Sequence, residues 1–413
     1  MRNIGLVSLA AGALLGIAGA AGYEPNPVFK ASEILPKQLV SGPSFKVEEN
    51  VQSDGYVLRF KITAGSNSYD VEGREMLEVR VHEVQALAQL DEISQGEAFA
   101  KAMGQSAKNT GKAVVNVATN PVETAKAVPQ GVGRFFKGVG GSAKKAGQAA
   151  GDAVTGDDQD ESGGPQKSTG QQAEDAAKSV AGANKAKRAW AKQAQVDPYS
   201  SNAPLQKKLD ELATASTAGG LTMKIVNPIP LTGLVSSVNG LAWDLPAPDL
   251  EKLNDQKLAA MGVTAEARKA FFKNAAYTPT QATGLVKALD ALAGAAGRNE
   301  ALTLATRKAR SEGDARFYRR AAEILAHYHG KVGPIERLVA RPTLFVGQAK
   351  SGALVVPVPY DEITWTAEVD AVSASPELKG STREIWLFGR CSARARQELT
   401  RRGWVVRDNV LAP

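Results

Sequence analysis

Residues 151–172 contain almost no apolar side chains, and this stretch most constrains how the chain can fold. A segment of this composition buries too little apolar surface to offset the entropy that ordering costs. We therefore predict a disordered acidic linker over 151–172, with folded parts on either side. Its acidic residues, set among glycine, serine and proline, are Asp152, Asp157, Asp158, Asp160 and Glu161.

The stretch before this linker, residues 100–150, is strongly basic. Its surplus of seven positive charges equals the net charge of the whole chain, +7, so the remainder is close to neutral. Small apolar residues recur at helical spacing, interrupted by Pro129 and several glycines, which predicts a hinged amphipathic helical arm. The side chains predicted to contact an anionic surface are Lys101, Lys108, Lys112, Lys126, Arg134, Phe135, Phe136, Lys137, Lys144 and Lys145.

Two interpretations of this basic arm remain open. The first is contact with an anionic membrane or an acidic envelope polymer, since each Lys or Arg near an anionic membrane contributes about 1 kcal/mol. The second is that the arm packs on the protein itself, or stays disordered, and exposes its lysines to water. The positive charge would also permit the arm to bind nucleic acid, but we do not expect nucleic acid as a partner of an exported protein. The sequence identifies no protein partner.

The N-terminus has the order of a signal peptide. Arg2 precedes the apolar run 4–18, and the small residues Ala18, Ala20 and Ala21 follow. This pattern predicts a leader over 1–21 that is cleaved after Ala20 or Ala21. The mature protein is then expected to be exported, either periplasmic or secreted. If the arm binds a membrane, the protein is peripheral on it. A retained membrane anchor is the alternative, although the run is short and rich in glycine and alanine. One cysteine excludes an internal disulfide.

The sequence predicts an α+β fold. An N-terminal β-hairpin region is followed by the arm and the linker, then by an α-helical middle domain and a β-rich C-terminal region that ends in a strand-helix-strand unit. The two β-rich ends are candidates to join. The predicted boundaries are 1–21 for the leader, 22–99 for the hairpin and helix domain, 100–150 for the arm, 151–172 for the linker, 173–335 for the helical domain and 336–413 for the C-terminal domain.

Turn and cap residues place the elements within these domains. Asp54-Gly55 between two alternating runs predicts a hairpin, and helical spacing continues from Glu75 to about Met103. Apolar residues interrupted by proline and glycine predict buried irregular chain or short strands over 221–246. Helices are expected near 250–261, 264–275, 279–296, 297–312 and 313–329, and strands at 343–348, 353–357 and 364–369. The closing unit is a strand at 384–388, a helix at 392–402 and a strand at 404–406.

Glu323 and His327 are weak candidates for catalysis. They lie four residues apart, on one face of a helix, whereas His329 points elsewhere. Gly330 predicts a C-cap, where histidines stabilise the helix dipole. Cys391 could be an activated thiol or a buried structural one. The common hydrolase and metal motifs are absent from the sequence, and we expect no metal or cofactor. The favoured hypothesis is an exported non-enzymatic envelope-associated protein, and the alternative is an exported hydrolase with a site around Glu323 and His327.

Overall fold

The computed structural model describes residues 22–109, 169–221 and 236–411. Contacts divide them into two compact units, one comprising 22–85, 236–238 and 247–411, the other 86–109, 169–221 and 239–246. The fold is mixed α+β, as predicted. The predicted leader, most of the arm and most of the linker lie outside the described residues, and the predicted domain boundaries stay a prediction.

Six short strands form an antiparallel sheet at the start of the first unit, in the order β1-β4-β5-β3-β2, with β6 paired to β5. Leu58, Phe60 and Ile62 are at most 2% exposed and alternate with exposed residues. They pack with Leu77 and Val81 of the following helix, so the period-two pattern forms a core. The elements are β1 (Val28–Lys30), α1 (Ala31–Ile34), α2 (Lys37–Val40), β2 (Ser41–Gly42), β3 (Phe45–Val47), β4 (Asn50–Ser53), β5 (Leu58–Ala64), β6 (Asn67–Glu72) and α3 (Arg74–Gln95).

The predicted hairpin at Asp54-Gly55 is confirmed. Ser53 of β4 pairs with Leu58 of β5, and Gly55 has a φ of +89°, which glycine adopts without strain. The Asp54 carboxylate accepts the backbone N–H groups of Tyr56 and Val57 at 3.1 and 2.9 Å, which fixes the turn. The first alternating run is divided between β3 and β4, and both parts pair with β5.

The second unit is helical. It contains the C-terminal part of α3, then α4 (Glu97–Asn109), α5 (Thr169–Gln193), α6 (Ala203–Gly219) and most of α7 (Ser236–Asp244). Both α4 and α5 pack against α6. Trp190 lies at the centre, fully buried, and donates through Nε1 to Ser216 Oγ at 2.9 Å. Two expectations were wrong: the helix predicted from Glu75 to about Met103 breaks at Gly96, and α7 forms within the segment 221–246, where irregular chain or short strands were predicted. Residues 222–235 of that segment lie outside the described residues.

Five consecutive helices follow in the first unit, near the predicted positions: α8 (Ala247–Ala260), α9 (Ala265–Lys273), α10 (Pro279–Asp290), α11 (Arg298–Lys308) and α12 (Glu312–Lys331). Local capping fixes their starts. Thr264 and Thr278 each accept a backbone N–H through the side chain, and Ser311 forms a reciprocal capping box with Asp314. The boundary predicted between the helices at 297–312 and 313–329 lies instead at 309–311, because Ser311 caps α12 and places Gly313 in its first turn.

The C-terminal region forms a five-stranded sheet in the order β13-β11-β9-β8-β7. The strands β9, β11 and β13 are mutually parallel, and a helix connects the last two, so the predicted strand-helix-strand unit is confirmed. The elements are β7 (Ile335–Ala340), β8 (Phe345–Ala349), β9 (Ala353–Val358), β10 (Glu362–Ile363), α13 (Ala367–Ser373), β11 (Thr382–Leu387), β12 (Arg390–Cys391), α14 (Ala393–Arg401) and β13 (Trp404–Arg407).

Two predictions about the β-rich ends were wrong. Thr364 to Val369 does not form a strand, because the Thr366 hydroxyl accepts the Val369 N–H and caps α13. The N-terminal and C-terminal strands also remain in separate sheets. The two regions are linked instead by loop backbone, with Thr364 N–H donating to Gly55 O at 3.1 Å and Asp361 N–H donating to Tyr56 O at 3.1 Å.

Candidate functional site

Two of the ten side chains predicted to contact an anionic surface lie within α4. Lys101 is exposed there, and Lys108 lies in the last turn. The other eight lie outside the described residues: Lys112, Lys126, Arg134, Phe135, Phe136, Lys137, Lys144 and Lys145. Within the three described ranges, the helices are too short or too polar to cross a membrane. The contact of the arm with an anionic surface therefore stays a prediction.

Glu323 belongs to a group of four charged residues, Glu75, Arg319, Arg320 and Glu323, which we call the ionic cluster. Glu323 binds Arg319 Nη1 at 2.6 Å and Arg320 Nη1 at 2.8 Å. Glu75, in the first turn of α3, binds Arg320 Nη2 at 2.6 Å and also contacts Arg319. The arginine side chains are 8% and 5% exposed and the glutamate side chains 17% and 25%, so two cations and two anions are balanced in a largely buried environment.

The electrostatics of the ionic cluster hold its groups in their charged forms. Burial by itself would raise the pKa of Glu75, but Arg319 and Arg320 outweigh burial and lower this pKa to about 2. Burial opposes the charge of Arg319, yet Glu323 and Glu75 raise its pKa. Glu75 is therefore ionised at neutral pH and has no proton to donate as a general acid.

Neighbouring helices position Arg319. Gln281 of α10 accepts from Arg319 Nε at 2.7 Å. Gly284, one turn further along α10, leaves room for the arginine stem, since a Cβ at that position would lie 2.6 Å from Arg319 Cδ. A small residue and an amide acceptor thus allow a charged side chain to enter the helix interface.

The histidines of α12 have packing and capping contacts. The His327 ring lies 6.2 Å from the Trp386 ring, and His329 Nδ1 accepts the backbone N–H of Ile335 at 3.0 Å. Gly330 was predicted as a C-cap but lies inside α12, which ends at Lys331. Where the structure places side chains, it brings together no group of three His, Cys, Asp or Glu residues suited to a metal ion.

Cys391 lies at the end of β12, directly before Ser392, which caps α14. Burial raises the pKa of the thiol to about 12, and this effect exceeds the opposing influence of Arg396. Of the two interpretations, the buried structural thiol fits this environment, and activation by the helix start and the nearby arginines does not.

A cavity of about 110 Å³ lies where the N-terminal sheet, α12 and the C-terminal loops meet in the first unit. We call it the Tyr360 cavity. The Tyr360 ring lies between those of Tyr56 and Phe317, at 5.4 and 5.3 Å between centroids, with interplanar angles of 52° and 51°. Arg320 lies over the Phe388 ring at 4.5 Å, so the ionic cluster forms part of the wall. The charged residues of the wall are Glu72, Glu75, Lys308, Asp314, Arg316, Arg320 and Asp361.

Asp361 joins three parts of the first unit. Its carboxylate accepts the backbone N–H of Arg74, the first residue of α3, and that of Leu58 in β5, both at 3.0 Å. It thereby caps α3 from about 290 residues away in sequence. Burial raises the pKa of Asp361, although these backbone donors oppose the effect.

Glu323 was predicted as a site residue from the sequence, but its partners were not. A signal was present, since Arg319 and Arg320 precede Glu323 by four and three residues on a predicted helix, the spacing at which ion pairs form. Glu75, Asp361 and Tyr360 carried no comparable signal, because their partners lie in distant parts of the chain.

Comparisons with known proteins gave no match: no family model, no curated protein and no solved structure is similar to this chain.

Proposed function

We propose that this chain is an exported, non-enzymatic envelope-associated protein whose basic arm contacts an anionic membrane surface. The observation that carries the proposal is the concentration of charge. Residues 100–150 hold eight cationic side chains and one acidic one, Glu123, while the rest of the chain is close to neutral. Localised positive charge on a weakly apolar segment is typical of peripheral attachment to anionic lipid.

The contacts of the candidate catalytic residues support a non-enzymatic role. Glu323 Oε1 accepts a hydrogen bond from Arg319, Glu323 Oε2 lies at ion-pair distance from Arg320, and His327 packs beside Trp386. A general base needs a free position facing a substrate. We accordingly expect His327→Ala to leave vesicle binding unchanged, whereas the alternative of a hydrolase requires that variant to lose a measurable hydrolytic activity.

The test is co-sedimentation of the mature chain, residues 22–413, with vesicles of anionic or neutral lipid at low and high salt. Deleting residues 110–150 removes eight of the ten predicted contact residues and keeps α4, which carries Lys101 and Lys108 and packs against α6. We expect the intact chain to bind anionic vesicles at low salt and to bind them less at high salt, because ions screen the attraction. It should not bind neutral vesicles. The deletion variant should remain in the supernatant.

Two outcomes would contradict the proposal. Binding that survives the deletion would place the contact elsewhere, and the absence of binding at low salt would remove the membrane role. A cooperative unfolding transition with the same midpoint as that of the intact chain serves as the folding control.

A further inference from the structure

We propose that the Tyr360 cavity binds a small molecule that has a compact apolar body and a carboxylate group. This inference does not depend on membrane attachment, since the residues of the cavity wall all lie in the first unit and outside the arm.

The size and the wall of the cavity define the apolar body. Phe317, Tyr318, Tyr360, Phe388 and Met76 line a space of about 110 Å³. An apolar cavity of roughly 150 Å³ holds benzene, and this space of about 110 Å³ is smaller but open to solvent on one side, so a single ring or a short branched chain is the largest apolar body that it accommodates. Ligand sites commonly combine apolar and aromatic side chains with convergent polar groups, and this wall contains both, with seven charged residues among sixteen.

The cationic groups of the wall have unused hydrogen-bond donors. Lys308, in the last turn of α11, makes no ion pair with a described residue, and Arg316 pairs only with Glu312, at 3.2 Å, and with the Met76 sulfur. The Arg320 side chain is 5% exposed, and its Nε is buried without a hydrogen-bond acceptor among the described residues. A buried donor without an acceptor is costly, and an anionic group of a ligand would satisfy such donors.

The carboxylates of the wall are already occupied, which argues against a cationic ligand. Glu75 is held by two arginines, and both oxygens of Asp361 accept backbone N–H groups. Asp314 accepts the N–H groups of Arg310 and Ser311, and Glu72 lies 3.5 Å from Arg59. Most of the acceptor capacity of the wall is therefore used, although the N–H groups of Arg310 and Ser311 both reach one oxygen of Asp314, Oδ2.

The N-terminus of α12 adds to the preference for an anion. Gly313, in the first turn of this helix of 20 residues, belongs to the wall. Backbone N–H groups of a first helical turn have no acceptor within the helix, and the helix dipole favours negative charge there. Ser311 Oγ already accepts the Asp314 N–H, and Glu312 and Asp314 carry carboxylates in this turn, which leaves the Gly313 N–H for a ligand. Lys308 and Arg316 lie on the two helices that meet at this point.

The experiment uses benzoate as the probe and two compounds of the same size as controls, benzyl alcohol and benzylamine. Calorimetry and thermal unfolding are measured on the mature chain, residues 22–413. We expect benzoate to bind with a Kd below about 1 mM and to raise the Tm, and benzyl alcohol to bind at least about tenfold more weakly because it has no charge to pair. Benzylamine should not bind.

Matched variants locate the site. Lys308→Met and Arg316→Gln should each weaken benzoate binding about tenfold. Lys252→Met, an exposed lysine on α8, should not change it. Absence of benzoate binding in the intact chain, benzylamine binding as tightly as benzoate, or unchanged affinity in a folded Lys308→Met variant would each overturn the proposal.

Discussion

The ionic cluster shows how single residues join distant parts of the chain. Glu75 begins α3, whereas Arg319, Arg320 and Glu323 lie near the middle of α12, about 240 residues away. Burying four charges costs free energy of desolvation, and the cost is recovered only when every charge has a close partner. Because each carboxylate here binds both arginines, removing one member leaves buried charge unpaired.

Glu75→Gln should destabilise the protein in a pH-dependent way. The pKa of Glu75 falls from 4.5 to about 2 on folding, which corresponds to about 3 kcal/mol of stability. Since the pKa is lowered, this contribution is fully present above pH 4.5 and disappears as the pH falls towards 2. The variant should therefore be less stable at pH 7 and approach the wild type near pH 2.

Urea unfolding at several pH values measures this difference, with the exposed Glu336→Gln as the control that should behave as the wild type. A loss of stability that is the same at pH 7 and pH 2.5 would show that the charge of Glu75 is not the cause.

The elements that the sequence predicted well are those that local chemistry determines. Asp54-Gly55 fixes its hairpin, Thr278 starts α10 through its own hydroxyl, and Ser392 starts α14 in the same way. Prediction failed where one residue type supports two structures. Thr364 to Val369 is rich in β-branched residues, which favour strands, but Thr366 caps a helix there.

The candidate site could be predicted only in part, because it is made of long-range contacts. A single helix sequence brings Arg319 and Arg320 beside Glu323. Nothing local indicates that Asp361 would cap α3, or that Tyr360 would lie between Tyr56 and Phe317. These contacts depend on how the two sheets and α12 come together in the first unit.

Gly297 should be essential for the junction between α11 and β7. Its φ is +83°, and a Cβ at this position would lie 2.0 Å from the carbonyl oxygen of Leu338. The neighbouring Ala296 exchanges backbone hydrogen bonds with Glu336 and Leu338, at 2.9 and 2.8 Å. Gly297→Ala must push these segments apart, so we expect it to lower the free energy of unfolding by about 2 kcal/mol more than backbone strain alone.

Gly294→Ala is the matched control, because Gly294 has a φ of +82° and no atom near its would-be Cβ. The free energy of unfolding of this control should fall only by the cost of placing alanine in a left-handed conformation, about 1 kcal/mol. Equal losses in the two variants, measured by urea unfolding, would contradict the steric explanation.

The whole molecule combines two folded units with a charge imbalance that lies almost entirely in residues 100–150. The helices that flank the gap at 110–168, α4 and α5, both pack against α6, so the second unit is where the arm joins the described structure. The ionic cluster and the Tyr360 cavity belong to the first unit. The proposed membrane attachment and the proposed ligand binding therefore involve different residues, in the arm and in the Tyr360 cavity, and can be tested separately.

The most direct test of membrane attachment compares two sets of six substitutions in the mature chain. One set changes Lys112, Lys126, Arg134, Lys137, Lys144 and Lys145 to Gln. The other lowers the net charge equally by changing the exposed lysines Lys207, Lys252, Lys269, Lys331, Lys350 and Lys379 to Gln. Partitioning onto anionic vesicles should fall by roughly 100-fold or more in the first set, since each arm cation contributes about 1 kcal/mol. The second set should bind nearly as the wild type. Equal losses in both sets would mean that overall charge, and not the arm, drives the attraction.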